Sequence, residues 1–446
     1  MSLLAKILPL TPGTEPRFLD VVRAGQERKD RAAKWLRFYH DQASDEVAKL
    51  IARRWSWPED FRLFQVNVVR KITNKRAQTY RRAPRRVAES FAQETLDRLY
   101  QEMNADVVLK RASRLVKLLK VVLLQVGWKD GHPTLGIACP SVLDLVCGAD
   151  PEDLLRVIVT HPAKDARAVE FSDWTATAYT RRDWRGLPIP VEGNPEDVNP
   201  YGRLPFVPAW DRWPDDAFFP PDGADVIEAQ EAINVALANL WRSVELQAHG
   251  QAWATGLPAG DALRTGPDRA ITLPENGRFG FAAPNAPIRD ILEAIQFVLR
   301  QTAAANDLSA DVFDLDRRAE SGAAKAVEQQ DLREAREDDL ALWRQYEAQL
   351  FDLVKVVVNT HAPGTVPEGA AIRVDFAEPA SNLTERERLE NAQRRVDLGV
   401  WSPVDVLLDE DPDLGLREDA IEELQRRREE AALLGAPFAG PAFDQE

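Results

Sequence analysis

The sequence predicts an α+β chain of more than one lobe, and three observations carry that prediction. The chain has 446 residues, too many for one ordinary core. Its hydrophobic period changes from that of helices to that of strands near residue 120, and back again near residue 224. Between the strand region and the second helical region lies 188–221, with nine prolines. No regular helix or central strand can run through it, so it reads as an ordered, extended connection.

Residues 17–54 read as helix, with Phe18, Val21, Val22 and later Trp35, Leu36 and Tyr39 at helical spacing. The next segment is apolar at Phe61, Phe64, Val68 and Ile72 and then strongly basic. Arg70, Lys71, Lys75, Arg76, Arg81, Arg82, Arg85 and Arg86 follow one another with no acidic residue between them. A second amphipathic helix is expected over 92–120, its polar face carrying Lys110, Arg111, Arg114, Lys117 and Lys120. Two short apolar runs around Lys129-Asp130-Gly131 read as a β-hairpin. "DLLRVIVTHP" and "AVEFSDWTATAYTRRDWRG" supply further strands, the latter turning at Asp183-Trp184-Arg185-Gly186.

The helical part opens with Val226, Ala229, Ile233, Leu237, Leu240 and Val244 on one stripe. Residues 256–287 are turn-rich, and a second helix starts near Ile288 with Ile291, Ile295, Val298 and Thr302 on one face. Two helices bracketing a small β-element make two antiparallel rods with a compact tip. After a break, a helix over roughly 322–360 would span about 60 Å. Its first half is polar and is expected to face a cavity or neighbour. Its second half, apolar at Leu340, Trp343, Leu350, Val354 and Val357, is expected in a core. "AIRVDFAE" reads as a strand, and 383–434 as charged helices broken at Gly399, with Ser402 as a cap. The last residues read as a loose tail.

The formal net charge of −15 excludes a protein that wraps nucleic acid with its whole surface. Cys139 and Cys147 have neither a disulfide-framework nor a zinc spacing, which points to a reducing compartment. The opening residues, interrupted by Pro9 and Pro12, do not read as a signal peptide, and no run of about 18 apolar residues marks a membrane span.

Little in the sequence points to chemistry. His40, His132, His161, His249 and His361 are scattered, and neither a phosphate loop nor a nucleophile elbow is present. Asp409, Asp411 and Asp413 alternate like the start of a calcium loop. Leu414 and Ala420 stand where that loop needs its glycine and its glutamate, so a solvated acidic turn is the better reading. The basic run from Arg70 to Arg86 fits a nucleic-acid patch and equally a surface that contacts acidic neighbours in an assembly.

The order of these pieces resembles the portal proteins of tailed bacteriophages and their prophage relatives, the head-to-tail connector family. The resemblance covers nearly the whole chain. It is carried by Asn199-Pro200-Tyr201-Gly202 with Leu204-Pro205-Phe206-Val207-Pro208, by Gln230 to Asn234, by Ser321-Gly322-Ala323-Ala324 and by the Ser402-Pro403 helix start. Residues 1–60 and the short tip carry least of it.

The resemblance implies a homo-oligomeric ring of about twelve subunits around a channel, at one vertex of a viral capsid. Residues 1–223 would be the wing, 224–255 and 288–306 the stem helices, 256–287 the clip, and 307–322 the tunnel loop. Residues 323–379 would be the long wing helix and its strand, and 380–446 the crown and flexible tail. It further implies double-stranded DNA passing through the channel, with Arg317, Arg318, Ser321, Gly322 and Lys325 at its lining. The implied protein partners are the terminase large subunit, the major capsid protein, a scaffolding protein and a head–tail connector or adaptor protein. The implied setting is the virion, and the host cytoplasm during assembly. No catalytic residue, cofactor, metal or membrane contact is implied. Two alternatives stand beside this reading. One is a capsid or tail structural protein without a channel. The other is a nucleic-acid-processing enzyme, which would need clustered carboxylates on a sheet edge for metal ions.

Overall fold

The computed structural model of the chain describes residues 17–53, 65–163, 169–249, 251–256, 273, 275–282, 287–313, 330–376, 385–410 and 417–433. The chain divides into two units, Met1–Arg317 with Gln329–Glu378, and Arg318–Glu328 with Pro379–Glu446.

The larger unit is mixed helix and sheet. Its first segment is three helices rather than the single one expected: α1 (Phe18–Ala24), α2 (Gln26–Tyr39) and α3 (Ser44–Ala52). The breaks fall at Gly25 and after Tyr39, where Asp41 takes a left-handed backbone (φ 63°). Helix α4 (Val68–Arg76) starts on Asn67, whose side-chain oxygen accepts from the Arg70 amide at 2.8 Å. Strand β1 (Arg85–Glu89) follows. The helix expected over 92–120 is two, α5 (Gln93–Glu102) and α6 (Ala105–Leu119), separated by Asn104 at φ 50°. Asparagine tolerates that region better than most residues, so the break needs no glycine.

Strands β2 (Val121–Lys129) and β3 (His132–Ala138) form the expected hairpin, with Asp130 and Gly131 both at positive φ as a two-residue turn needs. Strands β4 (Leu143–Cys147), β5 (Leu154–Pro162), β6 (Val169–Thr175), β7 (Tyr179–Arg182) and β8 (Pro188–Ile189) make an antiparallel meander in chain order. The proline-dense connection does contribute a strand, β9 (Phe206–Trp210), which pairs with β2 opposite β3. It contains Pro208, and it sits at the sheet edge, where a missing N–H is tolerated.

Helix α7 (Asp225–His249), the hairpin of β10 (Gln251–Thr255) and β11 (Arg278–Ala282), and helix α8 (Ile288–Ala304) come next. Helix α9 (Gln330–His361) then runs into β12 (Ala371–Asp375), which pairs antiparallel with β1. The main core joins α9, α5, α6 and the β2 sheet, with Leu109, Leu123, Leu124, Trp210, Leu350, Phe351, Val354 and Val357 all buried. Each such aliphatic side chain contributes about 1.5–3 kcal/mol when fully buried. The second half of α9 is packed as its apolar pattern indicated. In its first half Glu334, Glu337 and Asp338 are exposed while Arg336 and Asp339 are buried, and 322–329 lie outside the described residues.

The smaller unit holds α10 (Glu385–Asp397), α11 (Pro403–Glu410) and α12 (Arg417–Leu433). Gly399 (φ 70°) turns the chain after α10. Val404, Leu407 and Ala420 form a small core with Leu408 and Leu424. No helix among the described residues is long and apolar enough to cross a membrane.

Candidate functional site

The element that stands out is the pair α7 and α8. Asn306, just past α8, donates to Asp225 Oδ2 at the start of α7 (3.0 Å), and the β10–β11 hairpin joins the far ends, so the helices run antiparallel. Ile233 on α7 and Ile295 on α8 are buried between them, with Leu237, Ile291, Val298 and Leu299 alongside. This is the meeting of the two stripes expected from the sequence.

The polar residues of α7 have structural jobs at the base of the rod. Gln230 Oε1 accepts from the Val69 amide (2.8 Å) and Asn234 Oδ1 from the Val66 amide (3.0 Å). These two buried amides therefore satisfy backbone donors at the start of α4. Asn306 accepts from Arg76 at 3.0 Å and also donates to the Thr302 carbonyl. Asn199 does comparable work in the connection. Its Nδ2 donates to the carbonyls of Thr175 (2.8 Å) and Arg203 (2.9 Å), and its Oδ1 accepts from the Tyr201 amide. Gly202, at φ 65°, then lets the chain turn into β9.

Away from the base, the rod leaves large apolar side chains in the open. Trp241 of α7 is 53% exposed and Phe297 of α8 is 63% exposed. Phe297 lies about a third of a turn away from the Ile291–Ile295–Val298 stripe, outside the seam with α7. In the hairpin, Trp253 pairs with Gly280, and Phe279 and Phe281 project from the opposite face. A Cβ on Gly280 would sit 2.9 Å from the Trp253 ring, so the ring lies directly over this glycine and a side chain here would displace it. Trp253 is 44% and Phe281 59% exposed. A lone two-stranded hairpin is marginal in water, and this one shows aromatic rings on both faces.

The basic run divides in two. Arg70, Lys71, Lys75, Arg81, Arg82 and Arg85 are exposed. Arg70 donates to the Tyr39 carbonyl (2.9 Å), and the Lys71 ammonium lies 4.5 Å from the centroid of the Phe313 ring. Arg76 and Arg86 point into the protein. Arg86 binds the buried Glu347 carboxylate through Nη2 (2.7 Å) and Nε (3.0 Å), and Asp106 through Nη1 (2.7 Å). Tyr80 donates its hydroxyl to the same carboxylate at 2.8 Å. Burial, reinforced by the Glu347 charge, pushes the Tyr80 and Tyr100 hydroxyls well above the usual tyrosine range.

A second buried node lies on α6. Lys117 donates to Asp211 Oδ1 and to Asp339 Oδ1, both at 2.7 Å, and Lys120 donates to Asp211 Oδ2 at 2.9 Å. Burial opposes the charged Lys117, but the two carboxylates outweigh it and raise its pKa. Asp211 is likewise opposed by burial, yet Lys117 and Lys120 hold it well below the carboxylate range. Asp339 is raised by burial, which outweighs its hydrogen bond to Lys117. Lys117 and Lys120 thus belong to an internal network rather than to the solvated polar face expected for this helix. For Glu347 the sequence does carry a signal, a charge in phase with the apolar Trp343, Tyr346 and Leu350.

Arg317, Arg318, Ser321, Gly322 and Lys325 lie outside the described residues, as do most of 256–287 and Asp411 and Asp413. Among the described residues no group of three His, Cys, Asp or Glu side chains could hold a metal ion. Burial pushes the Cys139 thiol up to about 11; Cys147, buried and close to Asp153, is also raised to about 11. Both are therefore poor nucleophiles at neutral pH.

No family model matches the chain, and no curated protein does. Among solved structures, it is similar to a chain in the neck of an empty gene transfer agent particle computed with C6 symmetry. That likeness has 13% identity and a TM-score of 0.49, and covers 88% of this chain and 94% of the other. A chain in the neck of the native particle computed with C12 symmetry gives 14% identity and a TM-score of 0.43, covering 76% and 88%. A chain in the virion of the native particle gives 14% and 0.40, covering 74% and 84%.

Proposed function

We propose that this chain is the subunit of a ring-shaped portal, a channel through which double-stranded DNA enters and leaves a capsid. The observation that carries the reading is the antiparallel rod with its hairpin tip. Its apolar side chains are left open on α7, on α8 outside the seam, and on both faces of the hairpin. Apolar surface on opposite sides of one element suits a head-to-tail contact repeated around a ring, because such a contact uses two different patches. The order of rod, tip, second rod and long helix, which carried the sequence resemblance, also supports it.

In this reading the clip, 256–287, which includes β11, docks the packaging motor and later the head–tail connector proteins. Arg317 and Arg318 line the channel, where flanking Asp314, Asp316 and Glu320 keep the local charge nearly balanced. A phosphate passing such a surface meets weak, salt-screened contacts that are made and broken readily. The exposed part of the basic run faces either DNA or an acidic neighbour.

Negative-stain microscopy of the purified chain tests the reading directly. Rings with a central hole are expected. Monomers only, across protein concentration and salt, would overturn it. Replacing Arg317 and Arg318 by glutamate should then leave rings intact and lower the DNA packaged or retained, and deleting 260–283 should leave rings that do not package.

A further inference from the structure

The two faces of the β4–β8 sheet are buried in different ways. Leu143, Val157 and Val159 belong to the main core. On the opposite face the strand register aligns Asp144, Ile158 and Asp173, and beside them Phe171 with Arg182. Ile158 and Phe171 are buried yet lie outside the main core, and Asp144 and Asp173 are buried with them. Helix α1 reaches this face at both of its ends. The Phe18 ring meets Phe171 edge-on, 5.2 Å between centroids. The Val22 carbonyl accepts from Lys29 Nζ at 3.1 Å, and the same ammonium pairs with Asp144 at 2.8 Å. No residue of α1 is itself buried, and a helix of seven residues is not stable in water alone. We propose that α1 is a strap that opens from this face about Gly25, with Phe18 as its latch, while the rest of the larger unit stays folded.

The charges on this face do not oppose opening. Arg156 donates to Asp173 from Nε (2.7 Å) and Nη2 (2.6 Å), and Arg182 Nε donates to it at 2.8 Å. Both guanidiniums thereby stand beside the Phe18 ring, 5.8 and 5.1 Å from its centroid. Lys29 and Arg28 share Asp144 in the same way. These ion pairs join strand to strand or α2 to β4, so each survives when α1 leaves. Opening loses the ring contact, two cation–π contacts near the end of their range and the Lys29–Val22 hydrogen bond. It also exposes the half-buried Phe18, Leu19, Val21 and Val22. One residue, Gly25, joins α1 to α2. A Cβ there would run into the Asp144 carboxylate, so the chain passes this point close to the sheet only as glycine.

The latch also supports a turn. A Cβ on Gly186 (φ 83°) would lie 3.0 Å from Phe18 Cδ1, and Arg182 Nη1 donates to the Gly186 carbonyl at 3.2 Å. Within this turn Asp183 Oδ1 accepts from the Arg185 and Leu187 amides, at 2.9 and 2.8 Å. The turn presents Trp184 and Leu187 to solvent, with the Arg185 guanidinium 4.7 Å from the Trp184 ring centroid. Opening α1 therefore uncovers Phe171 and removes the ring beneath Gly186 in one movement.

Hydrogen exchange of the full chain, with and without sub-denaturing urea, tests this. Amides of α1 should exchange at least about a hundredfold faster than those inside α6. Urea should barely promote that exchange, because a local opening exposes little surface. Phe18→Ala should speed α1 and the Leu187 amide by about tenfold or more, with α6 and β2 unchanged. If α1 and α6 of the parent exchange at one rate and urea promotes both alike, α1 opens only with the whole unit and the proposal fails, whether or not the variant folds. If Phe18→Ala leaves the Leu187 amide at its parent rate, α1 frays without releasing the sheet, and Phe18 is not a latch.

Discussion

Asn306 lies just beyond α8 and donates its side-chain amide to Asp225 Oδ2 at 3.0 Å, tying the last turn of one rod helix to the first turn of the other. The same buried side chain accepts from Arg76 and donates to the Thr302 carbonyl. Three groups therefore lose a partner when it is truncated. Asn306→Ala should destabilise the larger unit by about 2–3 kcal/mol. The neighbouring Asp307→Asn should change stability by less than about 1 kcal/mol, because Asp307 is half exposed, lies 3.8 Å from Arg76, and asparagine tolerates its left-handed backbone (φ 57°) as aspartate does. Urea unfolding of the two variants checks the contrast, and equal losses would contradict it.

Asp211 and Asp339 share Lys117 yet should respond to neutralisation in opposite ways. Lys117 and Lys120 lower the Asp211 pKa in the folded state against the pull of burial. Its contribution is thus present above the unfolded carboxylate pKa and is lost as pH falls through the lower folded value. Burial raises the Asp339 pKa. Its ionisation is a cost that appears as pH rises above the unfolded value and through the folded one. At neutral pH Asp211→Asn should be strongly destabilising, by about 3 kcal/mol, and Asp339→Asn neutral or mildly stabilising. Thermal unfolding from pH 4 to 8 should show the Asp339→Asn advantage shrinking towards the acidic end. A loss for Asp339→Asn that matches Asp211→Asn would refute this assignment of roles.

These two nodes also mark where the sequence was legible and where it was not. The hairpin at Asp130-Gly131, the two rod helices and the packed half of α9 follow from local periodicity and turn chemistry, which one stretch of chain declares by itself. The β1–β12 pair does not, because Arg85–Glu89 and Ala371–Asp375 are joined by no turn and meet only through the fold. Proline in 206–210 argues against a central strand, and β9 lies at the sheet edge, which that reading leaves open. Lys117 and Lys120 were counted with Lys110, Arg111 and Arg114 because a charge in phase with a polar face looks the same whether it meets water or a buried carboxylate. Gln230, Asn234 and Asn199 were visible as motifs, but their work is on backbone groups far away in sequence, which no spacing reveals. The residues from 314 to 329 were assigned by resemblance.

The rod surface gives a further prediction, which rests on the ring reading. Phe297 sits outside the α7–α8 seam, so Phe297→Glu removes no buried contact within one chain. Its effect on the unfolding of a single chain should be within about 0.5 kcal/mol. If the outer face of α8 meets a neighbouring copy, the buried charge would instead weaken assembly, by about 2 kcal/mol or more per contact. Sedimentation velocity should show the variant shifted to smaller species at concentrations where the parent is assembled. An unchanged distribution would remove Phe297 from the contact.

The start of α11 allows a local test in the smaller unit. The Ser402 amide donates to Asp405 Oδ2 at 2.7 Å, and the Asp405 amide donates back to Ser402 Oγ at 3.3 Å, with Pro403 at the first helical position. This is a reciprocal cap with aspartate in the place more often held by glutamate. The Ser402 side-chain and backbone hydrogen bonds, aided by Arg417, hold the Asp405 carboxyl below the usual range. Its contribution is therefore present above the unfolded carboxylate pKa and is lost as pH falls through the lower folded value. Ser402→Ala should cost the first turn of α11 about 1 kcal/mol. Amide exchange at Asp405 and Val406 should then speed up by about fivefold, with the interior of α9 unchanged. Lowering the pH below the carboxylate range should bring the parent towards the variant, because protonated Asp405 no longer accepts from the Ser402 amide as an anion. If the parent keeps its excess protection there, the cap does not depend on the Asp405 charge.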